Sequence, residues 1–179
     1  MRDVLVIVDL FSDFRHEDGE RLLASLTSRH DAIAGALDHA RRAGVPVVFV
    51  NDRVGAWDSD APRIVRQALA GPGAPVLRDL TPRADEQFVV KPRYSAFDHT
   101  ALAVLLEELG CERVLLAGMS TEGCVAQSAI DARELGYKVS VLPRACATVD
   151  EELETLALRY LDQVVGVRLD DEAPAARTS

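Results

Sequence analysis

Glu112 to Tyr137 reads ERVLLAGMSTEGCVAQSAIDARELGY, and two periodicities meet inside it. Val114-Leu115-Leu116-Ala117 is a short apolar run of the kind found in a buried strand, and Gly118 ends it. From Cys124 onward the pattern turns helical. Val125, Ala129, Ala132 and Leu135 fall near one face, and Gly136 stops the helix from its C-terminal side. A cysteine is therefore expected in the first turn of a helix that follows a buried strand. Helix N-terminal N–H groups and the macrodipole favour an anion there. A thiol so placed can fall from a pKa of ~8.5 to between ~3.5 and ~7.5, which makes a thiolate nucleophile at neutral pH. The same position also suits an inert core cysteine, and this stretch alone leaves both readings open.

Outward from it, strands and helices alternate. Val4 to Val8 is apolar on both faces, as in a central parallel strand, and ends in Asp9. The polar run Arg15 to Glu20 reads as a loop. A helix is expected from about Ser28 to Ala43, a strand over Val45–Val50, and a loop over Asn51–Asp60 that holds the single Trp57. A helix over Ala61–Leu69 starts with Pro62 in its first turn. Gly71 to Pro75 is a turn. A strand over Glu86–Val90 precedes Lys91-Pro92-Arg93-Tyr94, and a helix capped by Asp98 or Thr100 runs to about Leu109. A strand over Lys138–Leu142, a helix over Glu151–Tyr160 and a strand over Val164–Leu169 complete the order. Six strands alternating with helices imply an α/β three-layer sandwich with a mainly parallel, Rossmann-like sheet in one domain, residues 1–169. Residues 170–179 read as a disordered tail.

Composition sets limits on function. The 179 residues suffice for one real core. A formal net charge of −9 makes nucleic acid and anionic membranes poor partners. Cys111, Cys124 and Cys146 are an odd number without framework spacing, which fits reduced thiols and a cytoplasmic location. No apolar run approaches the ~18 residues that span a bilayer, and Val4–Val8 is too short for a signal peptide.

In a parallel sheet, ligands bind outside the carboxyl ends of the strands. Asp9, Lys91 and Cys124 all stand at such ends. Each has an ordinary reading, as a turn residue, a solvated charge or a core thiol; together at one sheet edge they suit nucleophilic hydrolysis. The thiolate attacks a carbonyl and forms a thioester. The carboxylate takes the thiol proton and returns it to the leaving amine. The lysine keeps the carboxylate ionised and oriented. Backbone N–H groups of Cys124 and near Ser120 supply an oxyanion hole. Phe11, Arg53, Trp57, Arg93 and Tyr94 are candidate pocket residues, and two arginines would suit a carboxylate on the substrate.

These residues bring the chain to a family. VIVDLFSDF with its strand-end Asp, VVKPRYSAF with its Lys, and GMSTEGCV in the form G-x-x-T-x-x-C-V resemble the isochorismatase-like cysteine hydrolases, which include nicotinamidases and N-carbamoyl amide hydrolases. The likeness runs from about Val4 to Leu169. It implies Asp9, Lys91 and Cys124 as a triad, and a cis peptide at Met119–Ser120. It also implies a homo-oligomer, a dimer or tetramer, and a small-molecule substrate. Nicotinamidases of the family hold a metal through Asp-x-His and a further His. The corresponding stretch here is Asn51-Asp52-Arg53, within VNDRVGAW, and His16, His30, His39 and His99 have no ligand spacing. No metal and no other cofactor is expected, and nicotinamide fits poorly. His99 is the one histidine whose place in the chain allows an approach to the site. Arg144 stands where relatives often have an acid. Cys111 and Cys146 read as structural.

Other classes weigh less. A phosphoacceptor receiver domain needs an acceptor Asp where this chain has Lys91. A dinucleotide-binding domain needs G-x-G-x-x-G after the first strand, and none is present. Two alternatives stay open: a catalytically silent relative that binds a small molecule or partner, and vinyl-ether hydrolysis of the isochorismatase type. The retained Cys124 favours amide chemistry over the second.

Overall fold

The computed structural model describes residues 1–53 and 57–170. Six strands form one parallel sheet: β1 (Asp3–Val8), β2 (Val47–Asp52), β3 (Gln87–Lys91), β4 (Arg113–Met119), β5 (Lys138–Ala147) and β6 (Arg168–Leu169). Their order is β3-β2-β1-β4-β5-β6. The chain therefore walks outward from β1 to β3, then crosses back to lay β4 against the other side of β1. The crevice at that reversal, between the carboxyl ends of β1 and β4, is where such a fold places its ligand.

Strand alternation divides the core into two layers. Leu5 and Ile7 of β1, with Leu115 and Ala117 of β4, face one side. There they meet Leu26, Ile33, Leu37 and Ala40 of α1 (Gly19–Ala43) and Ile64 and Ala68 of α2 (Ala61–Leu69). Val4, Val6 and Val8, with Val114 and Leu116, face the other. They pack on Leu102 and Leu106 of α4 (Leu102–Glu108) and on Ala129 and Ala132 of α5 (Ala126–Glu134). A short helix α3 (Ala74–Leu77) follows α2, and α6 (Glu151–Tyr160) precedes the last strand. The architecture is the expected three-layer α/β/α sandwich.

Four elements depart most from the sequence expectation, while β2 and β3 shift by only one or two residues. α1 begins at Gly19 rather than near Ser28, because Leu22 and Leu26, one turn apart, bury themselves in the core while Glu20, Arg21 and Ala24 face solvent. Helix α3 occupies part of the expected turn. β5 continues to Ala147, five residues beyond Leu142, and its pairing with β4 shifts register between Leu116 and Gly118. β6 is only two residues long, because Leu161–Val165 coil into a π-helical turn. The expected tail lies outside the described residues except for Asp170, whose N–H donates to the carbonyl of Val141.

Candidate active site

The crevice at the reversal holds a cavity of about 390 Å³. Asp9, Phe11, Met119, Ser120 and Cys124 are among its lining residues. Asp9 follows β1 in the left-handed region, φ 50°, a backbone state that Asp tolerates better than most residues. One carboxylate oxygen accepts from the N–H of Asp52 at 2.7 Å, and the other meets Lys91 Nζ at 2.7 Å. Lys91 closes β3 and is 1% exposed. Its ammonium also donates to the carbonyl of Arg93 at 2.7 Å and to Cys124 Sγ at 3.4 Å. Three ammonium hydrogens thus have three partners.

Cys124 arrives by a tight route. Gly118, the last residue but one of β4, has φ 121°, and a Cβ there would lie 2.0 Å from the carbonyl oxygen of Val8. The Met119–Ser120 peptide is cis. Thr121–Val125 then form a π-helical turn before α5. The carbonyl of Ser120 accepts from the N–H groups of both Gly123 and Val125 at 3.1 Å. Behind the turn, Ser128 Oγ donates to the carbonyl of Cys124 at 2.6 Å and accepts from the N–H of Ala96 at 2.8 Å. This ties the segment after Lys91 to the segment that carries the thiol.

The electrostatics differ from the sequence expectation of a depressed thiol. Burial pushes the Cys124 thiol up to about 12, and the neighbouring Asp9 carboxylate adds to that; Lys91 opposes both but does not win. Burial also pushes Asp9 above the usual carboxylate value, against the pull of Lys91 and the Cys124 thiol. Burial works against the charge on Lys91, yet Asp9 and Cys124 outweigh it and raise its pKa. At neutral pH the proton sits on sulfur, beside a carboxylate whose basicity burial has increased. Cys111 and Cys146 are also raised by burial, to about 11 and about 12.

The expected pocket residues separate. Phe11 lines the cavity, meets Phe49 in a tilted contact with ring centroids 5.9 Å apart, and stacks on Phe88 at 6.4 Å. Arg93 and Tyr94 line a different depression, with Ser95, Asp98 and Gln127. Arg53 lies with its guanidinium 4.1 Å from the centre of the Trp57 ring, and neither is among the residues lining the cavity around Cys124. The inference of an arginine-bound carboxylate loses its footing there. His99 is exposed, pairs with Asp98 and does not line the cavity. Arg144 faces solvent beside Ser28, Arg29 and Glu154.

Sequence reasoning missed Ser12, Asp13, His16, Asp18 and Asp52 as lining residues. The available signal was their place: four of them stand in the connection after β1, at the same edge as Asp9. It also missed Asn51. That side chain accepts from the N–H of Phe11 at 2.8 Å and donates to its carbonyl at 3.0 Å, fastening the loop after β1 to the end of β2.

A metal fits poorly here. Asn51 is spent on Phe11, and Arg53 is a cation turned onto Trp57. Among the described residues, no group of three or more His, Cys, Asp or Glu side chains is placed to hold an ion. None of the described helices is long and apolar enough to cross a membrane.

Known proteins share this arrangement of chain. The protein is 27% identical to the uncharacterised isochorismatase family protein YaaI of Bacillus subtilis over 168 residues, 94% of this chain and 93% of that one. It is 31% identical to the maleamate amidohydrolase of Pseudomonas putida over 153 residues, 81% of this chain and 71% of that one. The crystal structure of N-carbamoylsarcosine amidase from Thermoplasma acidophilum superposes with a TM-score of 0.73 at 26% identity, covering 100% of this chain and 99% of that one. The isochorismatase domain model matches residues 3–173, and the chain belongs to the isochorismatase family.

Proposed function

We propose that the protein is a cysteine hydrolase that cleaves an amide or carbamoyl C–N bond of a small molecule through a thioester. The observation that carries this reading is the line from Asp9 through Lys91 Nζ, at 2.7 Å, to Cys124 Sγ, at 3.4 Å, on a cavity of about 390 Å³. Relatives whose names describe amide hydrolysis support it.

The steps follow from where the protons sit. Asp9 takes the thiol proton as Cys124 sulfur bonds to the substrate carbonyl carbon. The oxyanion so formed meets the N–H of Cys124, since those of Gly123 and Val125 are committed to Ser120. Collapse breaks the C–N bond, and Asp9 passes its proton to the leaving nitrogen. Water then attacks the thioester. Asp9 takes a proton from that water, the C–S bond breaks, and the proton returns to sulfur. Lys91 stays an ammonium throughout and keeps Asp9 turned toward the thiol. We further propose that the protein acts as a homodimer or homotetramer without a cofactor.

One observation favours a second reading. The upward push on Asp9 would also suit an acid that protonates carbon in a vinyl ether. Intact-mass spectrometry across a panel of amides and ureas separates the two. An acyl adduct on wild-type protein, absent from Cys124→Ala, is the expected result. Full turnover by Cys124→Ala would refute the thioester route and leave the vinyl-ether chemistry.

A further inference from the structure

Thr121 opens the turn that carries Cys124 and is wholly buried. Its Oγ1 donates to Glu154 Oε1 at 2.8 Å, with the carbonyl of Ala147 farther off at 3.2 Å. Glu154 belongs to α6 and is also buried. Its other oxygen accepts from Arg29 Nη2 of α1 at 2.8 Å. Arg29 Nη1 lies 3.3 Å from Glu154 Oε1 and donates to the carbonyls of Pro143 and Cys146, both at 2.8 Å. Those carbonyls lie in the part of β5 where its pairing with β4 slips, so they need a donor from outside the sheet. A half-buried guanidinium is thus fixed by irregular backbone. It fixes a buried carboxylate, and the carboxylate fixes the hydroxyl three residues before Cys124. The next residue is anchored too: Glu122 accepts from Thr148 Oγ1 at 2.8 Å and from the N–H of Val149 at 3.1 Å.

We propose that Glu154, held by Arg29, is a positioning residue for Cys124. It touches neither Asp9 nor Lys91. By seating Thr121 it sets where the π-helical turn presents the thiol to them. An uncompensated buried carboxylate is costly, which makes Thr121 and Arg29 a matched demand on one side chain. A small displacement of the sulfur lengthens the 3.4 Å contact with Lys91 and removes Asp9 from proton-transfer range. The proposal rests on Cys124 being the working thiol, but its test needs no substrate.

Alkylation of Cys124 by iodoacetamide, mapped by mass and followed from pH 5 to 10, reads the position of the thiol. Thr121→Val removes the hydroxyl at nearly constant shape, and Thr121→Ser keeps it. Asp3→Asn is the control. It breaks the bidentate pair with Arg113 at the far end of β1 and β4, with contacts of 2.9 and 2.6 Å, and so costs stability away from the site. Thr121→Val is expected to slow alkylation by roughly 10–10²-fold, the scale of a misplaced reacting group, and to alter the pH profile. Thr121→Ser and Asp3→Asn are expected to keep the wild-type rate and profile. A folded Thr121→Val with the wild-type profile overturns the proposal, and so does a Thr121→Ser that loses as much. Should Thr121→Val not fold, Glu154→Gln carries the test, since a neutral acceptor loosens both partners; an unchanged profile again overturns the proposal. If these variants behave as expected but the wild type forms no acyl adduct with any amide, the hydrolase reading falls and the positioning role stands.

Discussion

Lys91 spends its three ammonium hydrogens on Asp9, Cys124 and the carbonyl of Arg93, so no one of the three side chains keeps its geometry alone. Losses in such a unit are strongly non-additive. Asp9→Asn is expected to cost on the order of 10²–10⁴ in rate, the worth of a positioned acid–base group. Adding Lys91→Ala to it should then cost little more. Cys124→Ser should be nearly as damaging as Cys124→Ala, because a hydroxyl needs a stronger base than a carboxylate. The pH dependence has a definite sign. The thiol is protonated at neutral pH, so the rate depends on ionised Asp9. It should rise with pH through an apparent pKa above the ordinary 3.8, the direction in which burial pushes that group. Lys91 is raised above 10.5, so it supplies no falling limb below that pH. A rate that instead climbs steadily toward pH 10, following the thiol, would show that Asp9 is not the base. Full additivity of the Asp9→Asn and Lys91→Ala losses would show that the two do not act as a unit.

At the scale of elements, the passage from β4 through the π-helical turn into α5 is the most constrained segment. Gly118 has φ 121°, and a Cβ would meet the backbone oxygen of Val8 at 2.0 Å; Gly136 has φ 90° with nothing within 4 Å. Gly136→Ala is therefore expected to cost only the backbone strain, roughly 1–3 kcal/mol. Gly118→Ala adds a clash between main chains and should exceed about 4 kcal/mol, beyond the ordinary range for a point change. Urea unfolding of the two variants checks this, and equal losses would refute it. The strand-to-helix switch that produces this passage was legible as a change of hydrophobic period. α2 was legible from Pro62 at its start, whereas the cap of α6, the Asp150 carboxylate that accepts from Glu152 and Leu153 N–H, was not read from the sequence. The start of α1 was not, because charges around Leu22 hid the helical spacing. The places of Asp9, Lys91 and Cys124 were legible for the same reason as the fold, since Asp9 and Lys91 close apolar runs and Cys124 opens the helical period that follows β4. The directions of Arg53 and Arg93 were not, because a side chain leaving an irregular loop has no period to reveal its face. The raised thiol was hidden too. Its pKa depends on how deeply the strand ends are covered, and spacing along the chain does not contain that.

Across the whole molecule, charge and apolar surface pull in opposite directions. A net charge of −9 disfavours self-association. Yet Leu153, Leu156, Tyr160 and Val164 recur at spacings of three and four along α6 and the π-helical turn after it, and all are exposed, Val164 by 68%. Trp57 is 82% exposed as well. A stripe of that kind on an otherwise ordinary surface suits contact with a second copy of the chain. The proposed dimer or tetramer then has a salt dependence with a definite sign. Added salt screens the repulsion between two acidic protomers and leaves apolar contact intact, so association should strengthen between low salt and ~0.5 M NaCl. An assembly held by ion pairs would weaken instead. Light scattering on a sizing column at micromolar concentration is expected to give a multiple of 19.4 kDa. Leu156→Glu, placed in the middle of the stripe, should shift the population toward monomer while leaving the far-ultraviolet circular dichroism of the protein unchanged. A wild type that elutes as a clean 19.4 kDa species at both salt concentrations would remove the oligomer. An oligomer that survives Leu156→Glu would move the interface off α6, with Trp57 as the next surface to change.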